Sequence, residues 1–173
     1  MTNPTLETLK TRRSVRSYLP KQVEEEALQA ILEAGTYAAT GMNRQSPIIV
    51  CVQDPEARET LRRMNAAVMG SDGDPFYGAP TVLVVLADRN IRTCVEDASL
   101  VIGNLMNAAF SVGVDSCWIH RAKEEFDTDE GKDLLASWGI AGDYIGVGHL
   151  ILGYRAGDLP DVRPRKENYI YRV

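Results

Sequence analysis

The chain has 173 residues, with 24 acidic against 19 basic side chains and a formal charge of −5. That length suits one domain spanning 1–173, which would bury roughly 70% of its unfolded surface. The acidic balance excludes a general nucleic-acid binder, since backbone phosphates require a basic face rather than two short basic islands.

Asn3 followed by Pro4 reads as an N-cap and first helical position, opening a short helix through Leu6 and Leu9. Its end delivers Arg12-Arg13-Ser14-Val15-Arg16 into a turn. Val23 to Ala38 sets Leu28, Ile31, Leu32 and Gly35 against Glu24, Glu25, Gln29 and Glu33, an amphipathic helix with acids in its first turn. A polar loop from Thr40 to Ser46 follows. Ile48 to Val52 reads as a strand, Ala57 to Met64 as a polar helix, Gly70 to Gly78 as a loop and Thr81 to Ala87 as a second strand.

Glu96 to Val112 is a helix apolar on nearly every side, stopped by Gly113. Val114 to Ile119 is a third strand, Asp129 to Trp138 a helix and Ile145 to Leu152 a fourth strand, and the tail Asn168 to Val173 alternates like a strand. Strands separated by helices predict an α/β or α+β sandwich with helices covering a central sheet. No internal repeat interrupts it.

Three guanidinium groups and a hydroxyl in one short turn form a donor nest suited to a dianionic phosphate. Arg163-Pro164-Arg165-Lys166 is a second basic cluster that the fold would have to bring close. No Gly-x-Gly-x-x-Gly opens a helix after a strand and no P-loop is present, so the phosphate site would be built from side chains. Gly146-Val147-Gly148-His149 reads as tight packing next to a strand rather than a phosphate loop.

Cys51, Cys94 and Cys117 are scattered, odd in number and lack Cys-x-x-Cys spacing, so neither a disulfide framework nor a zinc site is indicated. The start Met1-Thr2-Asn3-Pro4 has no apolar signal core, and no helix candidate is apolar enough to span a bilayer. A reducing, cytoplasmic location is expected. His120 and His149 stand far apart, nothing resembles a nucleophile elbow, and a lone histidine flanking a strand reads as structural. Neither a catalytic side-chain nucleophile nor a metal centre is expected.

Taken together and in order, several segments resemble the FMN-dependent nitroreductase family, and its short members in particular. They are Arg12-Arg13-Ser14-Val15-Arg16-Ser17-Tyr18, Thr40-Gly41-Met42-Asn43-Arg44-Gln45, Gly78-Ala79-Pro80, Asn104-Leu105 and Gly153-Tyr154 ahead of the basic tail. The resemblance covers nearly the whole chain. It implies an α+β fold with a central, mostly antiparallel sheet flanked by helices, and an intertwined homodimer with a C-terminal tail strand. It also implies FMN as cofactor.

In such proteins the positions of Arg12, Ser14, Arg163 and Arg165 hold the FMN phosphate, and that of Arg13 lies along the ribityl or ring. Arg16 matches the residue facing the N1/O2 edge, where a cation favours the reduced anion. Ala39, Thr40, Gly41 and Asn43 match the loop that a partner subunit lends to the flavin. Ala39-Thr40 replaces the commoner Pro-Ser, which predicts a looser loop. The strand end Trp118, Ile119, His120 and Arg121 stands where larger members place a Glu-Gly pair whose backbone N–H groups meet flavin N5 and O4. Asn65 is expected at the pyrimidine edge.

The implied activity is NAD(P)H oxidation with ping-pong hydride transfer through flavin N5 to nitroaromatics, quinones or similar electron-poor acceptors. Arg44, Arg121 and Arg155 stand equal as contacts for a nicotinamide 2′-phosphate. Other readings remain open. They are a flavin-binding storage or sensor protein without turnover, a same-fold enone reductase, dehalogenase or flavin-fragmenting enzyme, and a sugar-phosphate or nucleotide-binding domain without flavin.

Overall fold

A computed structural model describes residues 1–173. Helix α1 spans Pro4–Thr11, with the Asn3 side chain accepting the Leu6 N–H at 2.9 Å. Helix α2 spans Glu25–Thr36 and buries Leu28, Ile31 and Gly35, one helical stripe. A single 3₁₀ turn at Gly41–Asn43 leads to strand β1, Pro47–Val52. Helix α3, Pro55–Met69, is capped by Asp54, which accepts the Ala57 N–H at 2.8 Å, and stops where Gly70 turns left-handed at φ 67°.

Strand β2, Thr81–Asp88, is buried up to its last residue. Helix α4, Cys94–Ser111, leads to β3, Asp115–Ile119. Two short helices follow, α5 at Ala122–Phe126 and α6 at Asp129–Ser137, and then β4, Tyr144–Gly153. No helix is long and apolar enough to cross a membrane.

The four strands form one antiparallel sheet in the order β1-β2-β4-β3. Alternation along β2 divides the core. Val82, Val84 and Leu86 face Leu61, Phe76 and Phe126 under α3, α5 and α6, while Leu83 and Val85 face Ile31, Ile102 and Leu105 of α2 and α4. Gly35 lets α2 and α4 touch, because a Cβ there would stand 2.6 Å from Leu105 Cδ2.

Gly146 and Gly148 lie inside β4 and serve packing. A Cβ on Gly146 would meet the Ala122 carbonyl oxygen at 2.3 Å, and one on Gly148 would meet Trp118 Nε1 at 2.1 Å. His149 is fully buried within the core, in keeping with a structural reading.

Two features depart from expectation. Helix α5 lies in a stretch that offered no sequence signal. The tail Asn168 to Val173 forms no strand, and Tyr169, Ile170 and Tyr171 are exposed. A strand needs an edge to pair with, and the tail meets none within its own chain. The outer edge of β3 is partly covered by a parallel bridge between Ser14 and Ser116, whereas β1 pairs on one side only. Helix α4 also leaves Val95 and Leu100 exposed.

Candidate functional site

The arginine turn is fixed from both sides. Arg12 closes α1 by donating its N–H to Thr8 at 3.0 Å, and Val15 donates to the Ser116 carbonyl at 3.1 Å. Tyr18 is buried, and its hydroxyl donates to the Val15 carbonyl at 2.8 Å. With Val15 and Tyr18 packed inward, Arg12, Arg13 and Ser14 are left half-buried along the rim and Arg16 is exposed.

Arg12, Arg13 and Ser14 line a cavity of about 550 Å³ together with Leu9, Lys10, Val162 and Arg165. The two ends of the chain thus meet at one polar depression. Of its lining residues, Arg12 Nη1 and Arg13 Nε are buried without a hydrogen-bond partner, although Arg13 Nη1 donates to the carbonyls of Lys10 and Arg12 at 2.8 and 2.7 Å. Burial pushes the Arg12 guanidinium below its ordinary value; Cys117 partly opposes this, and Arg13 adds a smaller push downward. No ion pair in the chain uses Arg12, Arg13 or Arg165. Partly desolvated cations with free donors favour an anion, and a phosphate's oxygens match the donors left over.

Arg163 does not line this cavity; its carbonyl accepts from Arg165 Nη2 at 2.8 Å. Arg16 extends into solvent, with Nη1 3.5 Å from the Ser14 carbonyl. Lys10 was missed by sequence reasoning, although a basic residue in the last turn of a helix entering an arginine turn was a usable signal.

The loop carrying Ala39, Thr40, Gly41 and Asn43 lies elsewhere. Thr40 and Gln45 line a separate, more apolar cavity of about 570 Å³ beside α2 and β1. Without its proline the loop is nevertheless tied down. Gly41 donates its N–H to Asp97 Oδ1 at 2.9 Å, Gln45 donates its N–H to the Thr40 hydroxyl at 3.1 Å, and a Cβ on Gly41 would strike Thr93 Oγ1 at 2.4 Å. Met42, Asn43 and Gln45 all hold positive φ, near 50–55°, leaving the Asn43 side chain on the surface. One chain alone does not bring this loop to the arginine cavity.

The end of β3 forms the third group. Trp118 is half-buried with its Nε1 unpartnered, Ile119 is buried, His120 is exposed, and Arg121 is left-handed at φ 81°. Asn65 is completely buried beneath this turn. Its Nδ2 donates to the His120 carbonyl at 2.9 Å and to Glu125 Oε1, and its Oδ1 accepts from Arg121 Nε at 3.0 Å. Both ends of its amide therefore have partners inside the chain, beside the turn where a contact with a pyrimidine edge was expected. Glu125, absent from the sequence reading, and His149, read there as structural, complete this buried set. No group of three or more His, Cys, Asp or Glu side chains gathers in a metal-holding arrangement.

The chain is an α+β sandwich whose arginine-lined cavity is built from side chains near both of its ends. The nitroreductase family model matches residues 9–71, which include the arginine turn and the Thr40 loop. A nitroreductase from Bacteroides fragilis solved with bound FMN superposes at a TM-score of 0.91 with 34% identity, covering 99% of this chain and 100% of that one. Another from Desulfitobacterium hafniense, also with bound FMN, gives 0.88 and 25% over 99% of each. A Thermus thermophilus protein named NADH dehydrogenase is 30% identical over 152 residues, 86% of this chain and 68% of that one. The chain belongs to the nitroreductase family.

Proposed function

We propose that the chain is an FMN-dependent NAD(P)H oxidoreductase that acts as a homodimer on nitroaromatics, quinones or similar electron-poor acceptors. The observation that carries this reading is the pair of buried, unpartnered guanidinium nitrogens of Arg12 and Arg13, two residues that line one cavity with Arg165. They fit the phosphate end of FMN. The FMN bound by the Bacteroides fragilis and Desulfitobacterium hafniense relatives supports the same ligand, and the name of the Thermus thermophilus relative supports a nicotinamide donor.

Bound FMN would supply a two-electron carrier that accepts from the nicotinamide and gives to the acceptor on one face, which implies ping-pong kinetics. The chain's own residues then bind, orient and polarise. Arg12, Ser14 and Arg165 hold the phosphate, with Lys10 adding charge. Arg13 lies along the ligand, and Arg16 offers a cation to the pyrimidine edge. The end of β3 from Trp118 to Arg121 presents backbone donors.

Ala39, Thr40, Gly41 and Asn43 would come from a second copy, which is supported by their distance from the arginine cavity within one chain. The exposed Val95 and Leu100 of α4, the open edge of β1 and the alternating tail are surfaces such a dimer would use.

The test is a visible spectrum of the purified protein with and without added FMN, followed by anaerobic addition of NADH or NADPH. Flavin absorbance that bleaches supports the proposal. Bound flavin that neither nucleotide reduces overturns the oxidoreductase reading, and failure to bind FMN overturns the cofactor assignment.

A further inference from the structure

Arg121 opens α5 in a left-handed backbone conformation that is strained for a non-glycine residue, so its surroundings must hold it there. The holding groups form a chain running from the surface into the core. Arg121 Nε donates to Asn65 Oδ1 at 3.0 Å, Asn65 Nδ2 donates to Glu125 Oε1, and Glu125 Oε1 lies 2.9 Å from His149 Nε2. Asn65 also fixes the carbonyl of His120 at 2.9 Å, the residue just before the strained one.

Four elements meet here: α3 supplies Asn65, α5 Glu125, β4 His149, and the β3–α5 turn the backbone being held. Phe76 and Phe126 enclose the imidazole, their ring centroids 5.4 and 6.2 Å from it. Asn65, Glu125 and His149 are all essentially inaccessible. Glu125 Oε2 and His149 Nδ1 have no partner at all. Burying two such groups with half their capacity unused is expensive, and an apolar pair of equal volume would pack this core more cheaply. Core stability therefore does not account for the pair. What it does supply is a rigid acceptor for the Asn65 amide, which in turn grips both residues of the turn.

We propose that Glu125 and His149 are positioning residues. Through Asn65 they set the backbone of His120 and Arg121, and hence the direction of the N–H groups that this turn offers to a bound ligand. Neither touches the ligand. The ligand half of the inference rests on the FMN reading above; the turn-holding half stands without it.

The experiment compares wild type with Glu125→Ala, Glu125→Gln and Arg121→Lys. Amide hydrogen exchange is measured on peptides covering 119–123 in FMN-free protein, and the FMN dissociation constant and flavin midpoint potential are measured alongside. Glutamine keeps an oxygen for Asn65 and His149; alanine does not. Lysine keeps the positive charge and a long side chain at this half-buried position but lacks the Nε donor.

Glu125→Ala and Arg121→Lys should speed exchange at 119–123 by about tenfold, the size of one lost hydrogen bond involving a charged group, with β2 and β4 unchanged. The same two variants should weaken FMN binding and shift its potential, and Glu125→Gln should restore all three readouts. Exchange that rises evenly across the core, a glutamine variant no better than alanine, or an Arg121→Lys turn as protected as wild type overturns the proposal. If Glu125→Ala does not fold, the other two variants still decide. A wild type that binds no FMN while the turn responds as described leaves the positioning role standing and removes the cofactor reading alone.

Discussion

Asp97, in the first turn of α4, accepts the Gly41 backbone N–H at 2.9 Å through Oδ1 and the Thr93 hydroxyl at 3.0 Å through Oδ2. One buried carboxyl thereby staples the loop before β1 to a helix that follows it far along the chain. Asp97→Ala removes the acceptor from two donors and should cost about 1–3 kcal/mol in urea unfolding. Asp97→Asn keeps an oxygen for Gly41 and should cost less. An alanine variant as stable as wild type would show that the loop stands on its own torsions.

Arg12 and Arg16 lie in one turn with different surroundings, the first half-buried with a free nitrogen and the second exposed. Arg12→Ala should weaken FMN binding by roughly tenfold or more, read by fluorescence titration, because it removes a desolvated donor from the phosphate. Arg16→Ala should cost less affinity but lower the flavin's midpoint potential. Equal effects of both substitutions on both readouts would contradict separate roles.

Gly146 admits no side chain, since the Ala122 carbonyl would sit 2.3 Å from its Cβ and backbone cannot swing aside. Gly146→Ala should therefore destabilise by about 1–3 kcal/mol, as overpacking does. Thermal unfolding checks this. Gly113→Ala, which meets no atom but must hold φ 80°, probes strain without a clash.

Burial raises the Asp74 carboxyl, but hydrogen bonds from Arg58 and from the N–H groups of Gly78 and Phe76 outweigh it and hold Asp74 below the ordinary aspartate value. A depressed carboxyl contributes stability that is fully present above its unfolded value. That contribution is lost as pH falls below about 4 and through the lower folded value. Asp74→Asn should therefore be less stable than wild type near neutrality, with the gap closing in acid. Urea midpoints across that range would show it, and a constant gap would rule out the linkage.

The helices that could be read from sequence are those that carry their own punctuation. Asn3-Pro4 opens α1, the acidic first turn opens α2, and Gly113 follows α4. Helix α5 has no such marks, because its five residues show no period and its left-handed first neighbour is an arginine where a glycine would have signalled the turn. Alternation in the tail was visible, but the edge it needs is not part of its own chain. At the site, composition pointed to both basic clusters, yet which of Arg163 and Arg165 enters the cavity depends on the path after Pro164. Asn65 was singled out from its place between a helix and Gly78-Ala79-Pro80, whereas its hydrogen bonds to Glu125 and Arg121 join residues so far apart in the chain that no local pattern links them.

The path of the tail has a thermodynamic consequence. Leu159 still packs against the core, and every residue from Pro160 onward is exposed, so Arg165 reaches the cavity on a segment that little else immobilises. Part of the free energy of anion capture must go into ordering that segment, and Pro160 and Pro164 reduce the entropy to be lost by restricting the free tail in advance. Replacing both prolines by glycine removes no side-chain donor and should still loosen any grip of Arg165 on a phosphate, because the free tail would then have more conformations to lose on binding.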